Sequence, residues 1–99
     1  MAATEKAPDF AHRAKLFGDK VRSRRAELGL SERKLAEATG LSRGYVALLL
    51  KDRGSHKDGA GEYKPLNPTL DVIWRLAEAL DVEPMYLVDP HRGVEARTR

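Results

Sequence analysis

No cysteine occurs among the 99 residues of the chain, which excludes disulfide-stapled scaffolds and thiolate metal sites and makes a reducing, cytoplasmic setting the expected one. Met1 to Pro8 carries Glu5 and lacks the apolar run of a secretory leader. No later stretch approaches the roughly 18 consecutive apolar residues that cross a bilayer, so no membrane association is expected. Catalytic patterns are missing too. His12, His56 and His91 lie far apart, none at metal-ligand spacing from a second donor, and they read as surface histidines. The Gly59-Ala60-Gly61 run is not followed by the Gly-Lys-Ser/Thr of a phosphate-binding loop. These absences point away from an enzyme and from any metal or cofactor. Strand-like alternation of useful length and internal repeats are likewise lacking.

Charge and helical periodicity remain. The formal charge of +3 is unevenly spread, with 14 Lys/Arg against 9 Asp/Glu through Pro65 and 4 against 6 from Leu66 onward. A basic amino-terminal two thirds suits a polyanion, although a solvated basic surface has the same composition. Phe10, Ala14, Phe17, Val21 and Leu28 recur near multiples of 3.6 residues behind a potential cap at Asp9, predicting a first helix over 10–28 that Gly29 stops. Ser31 then caps a short second helix with Glu32 in its first turn. Gly40 ends it, and Ser42 caps a third helix to Lys51 whose stripe is Val46, Leu49 and Leu50. Thr69 caps a fourth helix to about residue 80, and Pro84 opens a short fifth carrying Met85, Leu87 and Val88. The expected fold is all-α, five helices over 9–88, between loose tails at 1–8 and 89–99.

Between the third and fourth helices, residues 51–67 exceed the usual helix-to-helix connection of about 2 to 8 residues. Arg53, His56, Lys57 and Lys64 are interleaved there with Tyr63 and glycines, and Asp58-Gly59 is a hairpin-turn signal. The segment is either a small two-stranded wing along a nucleic acid or an irregular loop.

Two short helices joined by a glycine-containing turn form a helix-turn-helix, in which the second helix enters the major groove of DNA while the first braces it. Ala36 must be small where the helices cross, Gly40 turns the chain, and Leu35, Val46 and Leu49 supply the core wedge. With these residues, Leu30-Ser31, Gly40-Leu41-Ser42 and Tyr45-Val46, followed by Asn67-Pro68-Thr69-Leu70 and Leu76-Ala77-Glu78-Ala79-Leu80, the sequence resembles the phage repressor and Cro family, the xenobiotic-response-element type of bacterial regulator. The resemblance spans roughly Phe17 to Val88 with one insertion.

That resemblance implies a transcriptional regulator, a repressor in the first reading, acting as a homodimer on a two-fold-related double-stranded operator. It also implies base reading from Ser42, Arg43, Gly44, Ala47 and Leu48. Arg43 can donate two hydrogen bonds to a guanine edge, or else contact a phosphate. Gly44, Ala47 and Leu48 make a face poor in hydrogen bonds, so specificity comes from DNA shape and backbone contacts, or else exposed Leu48 and Leu50 belong to a protein interface. Ser31 and Glu32 match the family's phosphate-facing helix start, where the carboxylate of Glu32 hands the work to backbone N–H groups or to Arg33 and Lys34.

Other backbone-contact candidates are Arg22, Arg25, Tyr45 and Lys51. Arg25 matches a family arginine that pairs with a glutamate, but Leu50 stands in the partner's place, leaving Arg25 free for another carboxylate or the DNA. Tyr45 either offers its hydroxyl to a phosphate or only packs on the core. Trp74, with Met85, Tyr86 and Leu87, is either core or a dimer surface, core being the commoner fate of a tryptophan. A rival reading is an antitoxin or interaction module on the same fold, with a toxin or co-regulator as partner.

Overall fold

The computed structural model describes residues 9–51, 57 and 59–95. Helix α1 runs over Phe10–Leu28, a stretch rich in Ala, Leu, Lys and Arg with Val21 its only β-branched residue. Asp9 does not cap it through its side chain. The carboxylate instead accepts from Arg13 Nε at 2.7 Å, one turn on, while the Asp9 carbonyl begins the backbone ladder. At the other end Gly29 adopts φ 67°, so that its N–H reaches Ala26 O and the Leu30 N–H reaches Arg25 O at 3.0 Å, a Schellman closure.

Helix α2, Glu32–Thr39, starts where Ser31 Oγ accepts from Lys34 N–H at 3.0 Å. Helix α3, Arg43–Lys51, starts in the same way, Ser42 Oγ accepting from Tyr45 N–H at 3.1 Å. Helix α4, Leu70–Leu80, is capped by Thr69 and closes at Asp81, which takes the left-handed conformation at φ 55° and lets Val82 drop into the core. Helix α5, Pro84–Val88, begins with proline at its first position, where no N–H is needed. Among the described residues no helix is long and apolar enough to cross a membrane.

The core gathers Phe17 and Val21 from α1, Leu35 and Ala36 from α2, Val46 and Leu49 from α3, Ile73, Leu76, Ala77 and Leu80 from α4, and Tyr86 and Leu87 from α5. Helix α1 packs on α3, α4 and α5, and α2 packs on α3 and α4, so α1 and α4 brace the α2–α3 pair from behind. Each fully buried leucine, such as Leu35 or Leu49, contributes about 1.5–3 kcal/mol.

Several placements differ from the sequence expectations. Leu28 is exposed, whereas Lys20, polar and unremarkable in the sequence, is fully buried. The Lys20 ammonium donates to Tyr86 O at 2.6 Å and to Asp89 O at 2.9 Å, and lies 4.8 Å from the centre of the Tyr86 ring. These carbonyls end α5, where a cation meets the negative pole of the helix. Burial pushes the Lys20 ammonium below its ordinary 10.5, partly opposed by the nearby Asp89 carboxylate.

Residues 89–94, expected to be loose, fold back: Tyr86 Oη donates to Val94 O at 2.6 Å, and Arg92 donates to Glu83 Oε1 at 2.5 Å. In the long connection, Lys57 and Tyr63 form one isolated antiparallel bridge around a turn with Gly61 at φ 83°, and the Lys57 ammonium lies 5.2 Å from the Tyr63 ring centre. Arg53, His56 and Asp58, named above, lie outside the described residues. Leu66 enters the core. Tyr63 and Pro65 line a shallow cleft with Ala11, Ala14 and Lys15, at the amino-terminal end of α1. Lys15 lies about 20 Å along the helix from Leu28, beyond which α2 begins.

Candidate nucleic-acid interface

The short α2–α3 turn is held by hydrogen bonds from residues close by and from α4. Gly40, at φ 76°, returns its N–H to Ala36 O at 2.9 Å. The buried Thr39 hydroxyl donates to Leu35 O at 2.8 Å and accepts from Leu41 N–H at 3.2 Å. The Thr39 carbonyl, left over at the end of α2, accepts from Arg75 Nη1 of α4 at 2.9 Å, and Arg75 Nε donates to Asp71 at 2.8 Å. Buried Ala36 leaves room for the crossing of α2 and α3, and Leu35, Val46 and Leu49 fill the angle between them.

On the outside of this pair, Ser42, Arg43 and Gly44 form the exposed first turn of α3. Arg43 is exposed and makes no hydrogen bond or ion pair among the described residues. A Cβ built at Gly44 meets nothing within 4 Å, so no packing within the chain requires glycine there. Ala47 and Leu48 are half-buried; Leu48 and Leu50 both pack on the core, contrary to their expected exposure. At the start of α2, Ser31, Arg33 and Lys34 are exposed and Glu32 is half-buried. Arg33 lies 3.6 Å from Glu37 one turn on, and the Lys34 ammonium has no partner among the described residues.

The remaining candidates divide. Lys51, Lys57 and Lys64 are exposed. Tyr45 is half-buried, and burial pushes its phenol above 10.0, so the hydroxyl stays a neutral donor. Arg22 pairs with Asp19 on its own helix. Arg25 is not free, because its Nη1 donates to Leu30 O at 2.8 Å and its buried Nε finds no acceptor among the described residues. Trp74 and Met85 are 56% and 60% exposed, against the expectation of a core tryptophan. Tyr86 and Leu87, each 1% exposed, belong to the core and offer no surface to a partner. Leu70, 72% exposed and one turn before Trp74, joins the outer face. Arg75 was missed altogether; its only sequence signal is the four-residue spacing from Asp71. Among the described residues no group of acidic, His or Cys side chains could hold a metal ion.

The geometry defines a helix-turn-helix domain whose second helix is capped, solvent-facing at its first turn and rigidly backed. No protein-family model and no curated protein matches the chain. Solved structures do. The restriction-modification controller protein C.AhdI from Aeromonas hydrophila is 34% identical over 77% of this chain and 97% of its own, with a TM-score of 0.58. The hypothetical transcription factor NHTF from Neisseria is 26% identical over 91% of this chain and 90% of its own, at TM-score 0.63. The N-terminal DNA-binding domain of SinR from Bacillus subtilis shares the fold at 23% identity, 76% and 93% coverage and TM-score 0.61. The chain belongs to the phage repressor/Cro-like family of helix-turn-helix transcriptional regulators.

Proposed function

We propose that this regulator acts in the cytoplasm as a homodimeric repressor that binds a two-fold-related duplex DNA site, with α3 in the major groove. The observation that carries the reading is the Arg43 guanidinium on the exposed first turn of α3, without a partner among the described residues and beside a glycine that leaves its surroundings open. In that position Arg43 reads a guanine edge through two parallel hydrogen bonds, a contact worth about 1–3 kcal/mol of discrimination. Backbone N–H groups at the capped starts of α2 and α3, with Lys34 and Lys51, face the phosphates. Similarity to a protein described as a restriction-modification controller and to a domain described as DNA-binding supports DNA as the partner.

The exposed apolar residues Leu70 and Trp74 of α4 and Met85 and Val88 of α5, helices that pack on each other, form the dimer face. A dimer of this kind sets its two reading helices about 34 Å apart, in successive major grooves. The rival reading as an interaction module drew on the weakly polar reading face, and the partial burial of Leu48 and Leu50 against the core leaves that face less apolar surface for a partner. The lysines near Tyr63 sit at the far end of α1 from the start of α2, which favours backbone contact from Lys34 and Lys51 over the loop. Selection of bound duplexes from a random pool, with the mass of the complex measured alongside, tests the reading: a palindromic consensus bound by two chains is expected. Failure to enrich any duplex would remove DNA recognition, and a monomeric complex would remove the dimer.

A further inference from the structure

Arg75 lies on α4, outside the helix-turn-helix, yet it closes it. Its Nη1 donates to the carbonyl of Thr39, the last residue of α2, at 2.9 Å, while its Nε donates to Asp71 at 2.8 Å. The guanidinium is thereby held across the end of α2, where a positive charge meets the negative pole of that helix. It also covers Gly40: a Cβ there would stand 2.9 Å from Nη1. Glycine at the turn is favoured by its left-handed backbone, and a side chain there would also displace the end of the arginine.

We infer that Arg75 is a positioning residue for DNA recognition, fixing the α2–α3 turn against α4 and so the angle at which the first turn of α3 is presented; this rests on the DNA-binding reading above. Arg75 stands at the surface with its Nη1 turned to the end of α2, and Asp71, one turn before it, accepts from its Nε. The three groups Thr39 O, Arg75 and Asp71 act as one clamp.

The clamp makes a prediction that a phosphate-contacting arginine does not. Replacing Arg75 by alanine is expected to lower affinity for the selected duplex roughly tenfold, the scale of one charge-assisted hydrogen bond. Affinity for random duplex, and the slope of log affinity against log salt, stay as in the unaltered protein, because no phosphate contact is lost. Arg75→Lys, which can still reach Thr39 O, recovers part of the loss. Amide hydrogen exchange without DNA supplies an independent readout: Leu41 to Val46 should exchange faster in Arg75→Ala, while the α1 core amides keep their protection. A shallower salt slope would identify Arg75 as a phosphate contact and overturn the inference, as would unchanged exchange at the turn together with unchanged duplex affinity. If the unaltered protein binds no duplex while exchange at the turn still responds to Arg75→Ala, the clamp stands and the DNA reading falls.

Discussion

Two glycines four residues apart in the helix-turn-helix should respond to alanine with opposite signs. Gly40 sits at φ 76°, where an L side chain costs about 1–2 kcal/mol. Its new methyl would also stand 2.9 Å from Arg75 Nη1. The arginine can swing away, but doing so abandons the Thr39 carbonyl, for a further loss of about 1.5 kcal/mol. Gly44, in contrast, lies within α3 with nothing near a prospective Cβ, and alanine there gains up to about 1 kcal/mol of helix propensity. For a domain of this size each kcal/mol moves the melting temperature by about 4–8 °C. Thermal unfolding of Gly40→Ala is therefore expected well below the unaltered protein and that of Gly44→Ala at or slightly above it. A duplex-binding assay on the second variant adds the functional half: a more stable protein that binds less tightly marks Gly44 as a point of close approach by DNA. Equal melting temperatures for the two variants would refute the account of the turn, and a destabilised Gly44→Ala would refute the open environment of α3.

Arg43→Ala should lose preference at one base-pair position, by about 1–3 kcal/mol, while Lys34→Ala weakens binding to all duplexes and flattens the salt slope; competition titrations at several salt concentrations separate the two. Trp74→Ala should weaken self-association by about 2 kcal/mol or more with little change in the melting of the monomer, which sedimentation equilibrium reads directly. Enlarging the crossing point by Ala36→Leu should cost about 1–3 kcal/mol by overpacking, visible in denaturant unfolding. The lowered proton affinity of buried Lys20 sets a pH dependence. The native chain gives up this proton at a lower pH than the unfolded chain, so in that interval the unfolded state binds more protons and stability rises with pH. The stability of the unaltered protein relative to Lys20→Met should accordingly climb as pH is raised toward 10.5, and a flat difference would contradict the burial of the ammonium.

Local signals made much of the fold readable in advance. Ser31, Gly29, Gly40, Thr69 and Pro84 act on backbone groups within a few residues of themselves, so the five helices could be bounded without knowing what packs on what. What stayed hidden was non-local. The acceptors of Lys20 are 66 and 69 residues away and that of Arg75 is 36 away, distances at which spacing carries no information. Helix α5 has five residues, too few for periodicity to tell exposed Met85 from buried Tyr86 and Leu87. Trp74 defied the tendency of tryptophan toward burial, because the stripe of Ile73, Leu76, Ala77 and Leu80 already fills the core side of α4 and turns its neighbour outward. The first turn of α3 was legible as a motif, while the half-burial of Leu48 depended on neighbours from other helices.

The bond from Lys20 to the end of α5 also bears on how the chain is made. Lys20 is made long before the carbonyl of Tyr86 exists, and at about 5–20 residues per second the 66 residues up to and including Tyr86 take roughly 3 to 13 seconds to synthesise. Even after α2 and α3 have been made, α1 has no α5 to close upon until Tyr86 is added, so the nascent domain displays the apolar face of α1 beside an unplaced charge. Completion of this fold is thus tied to α5, and a chain halted before Tyr86 would be a substrate for chaperones or proteases rather than a shorter regulator.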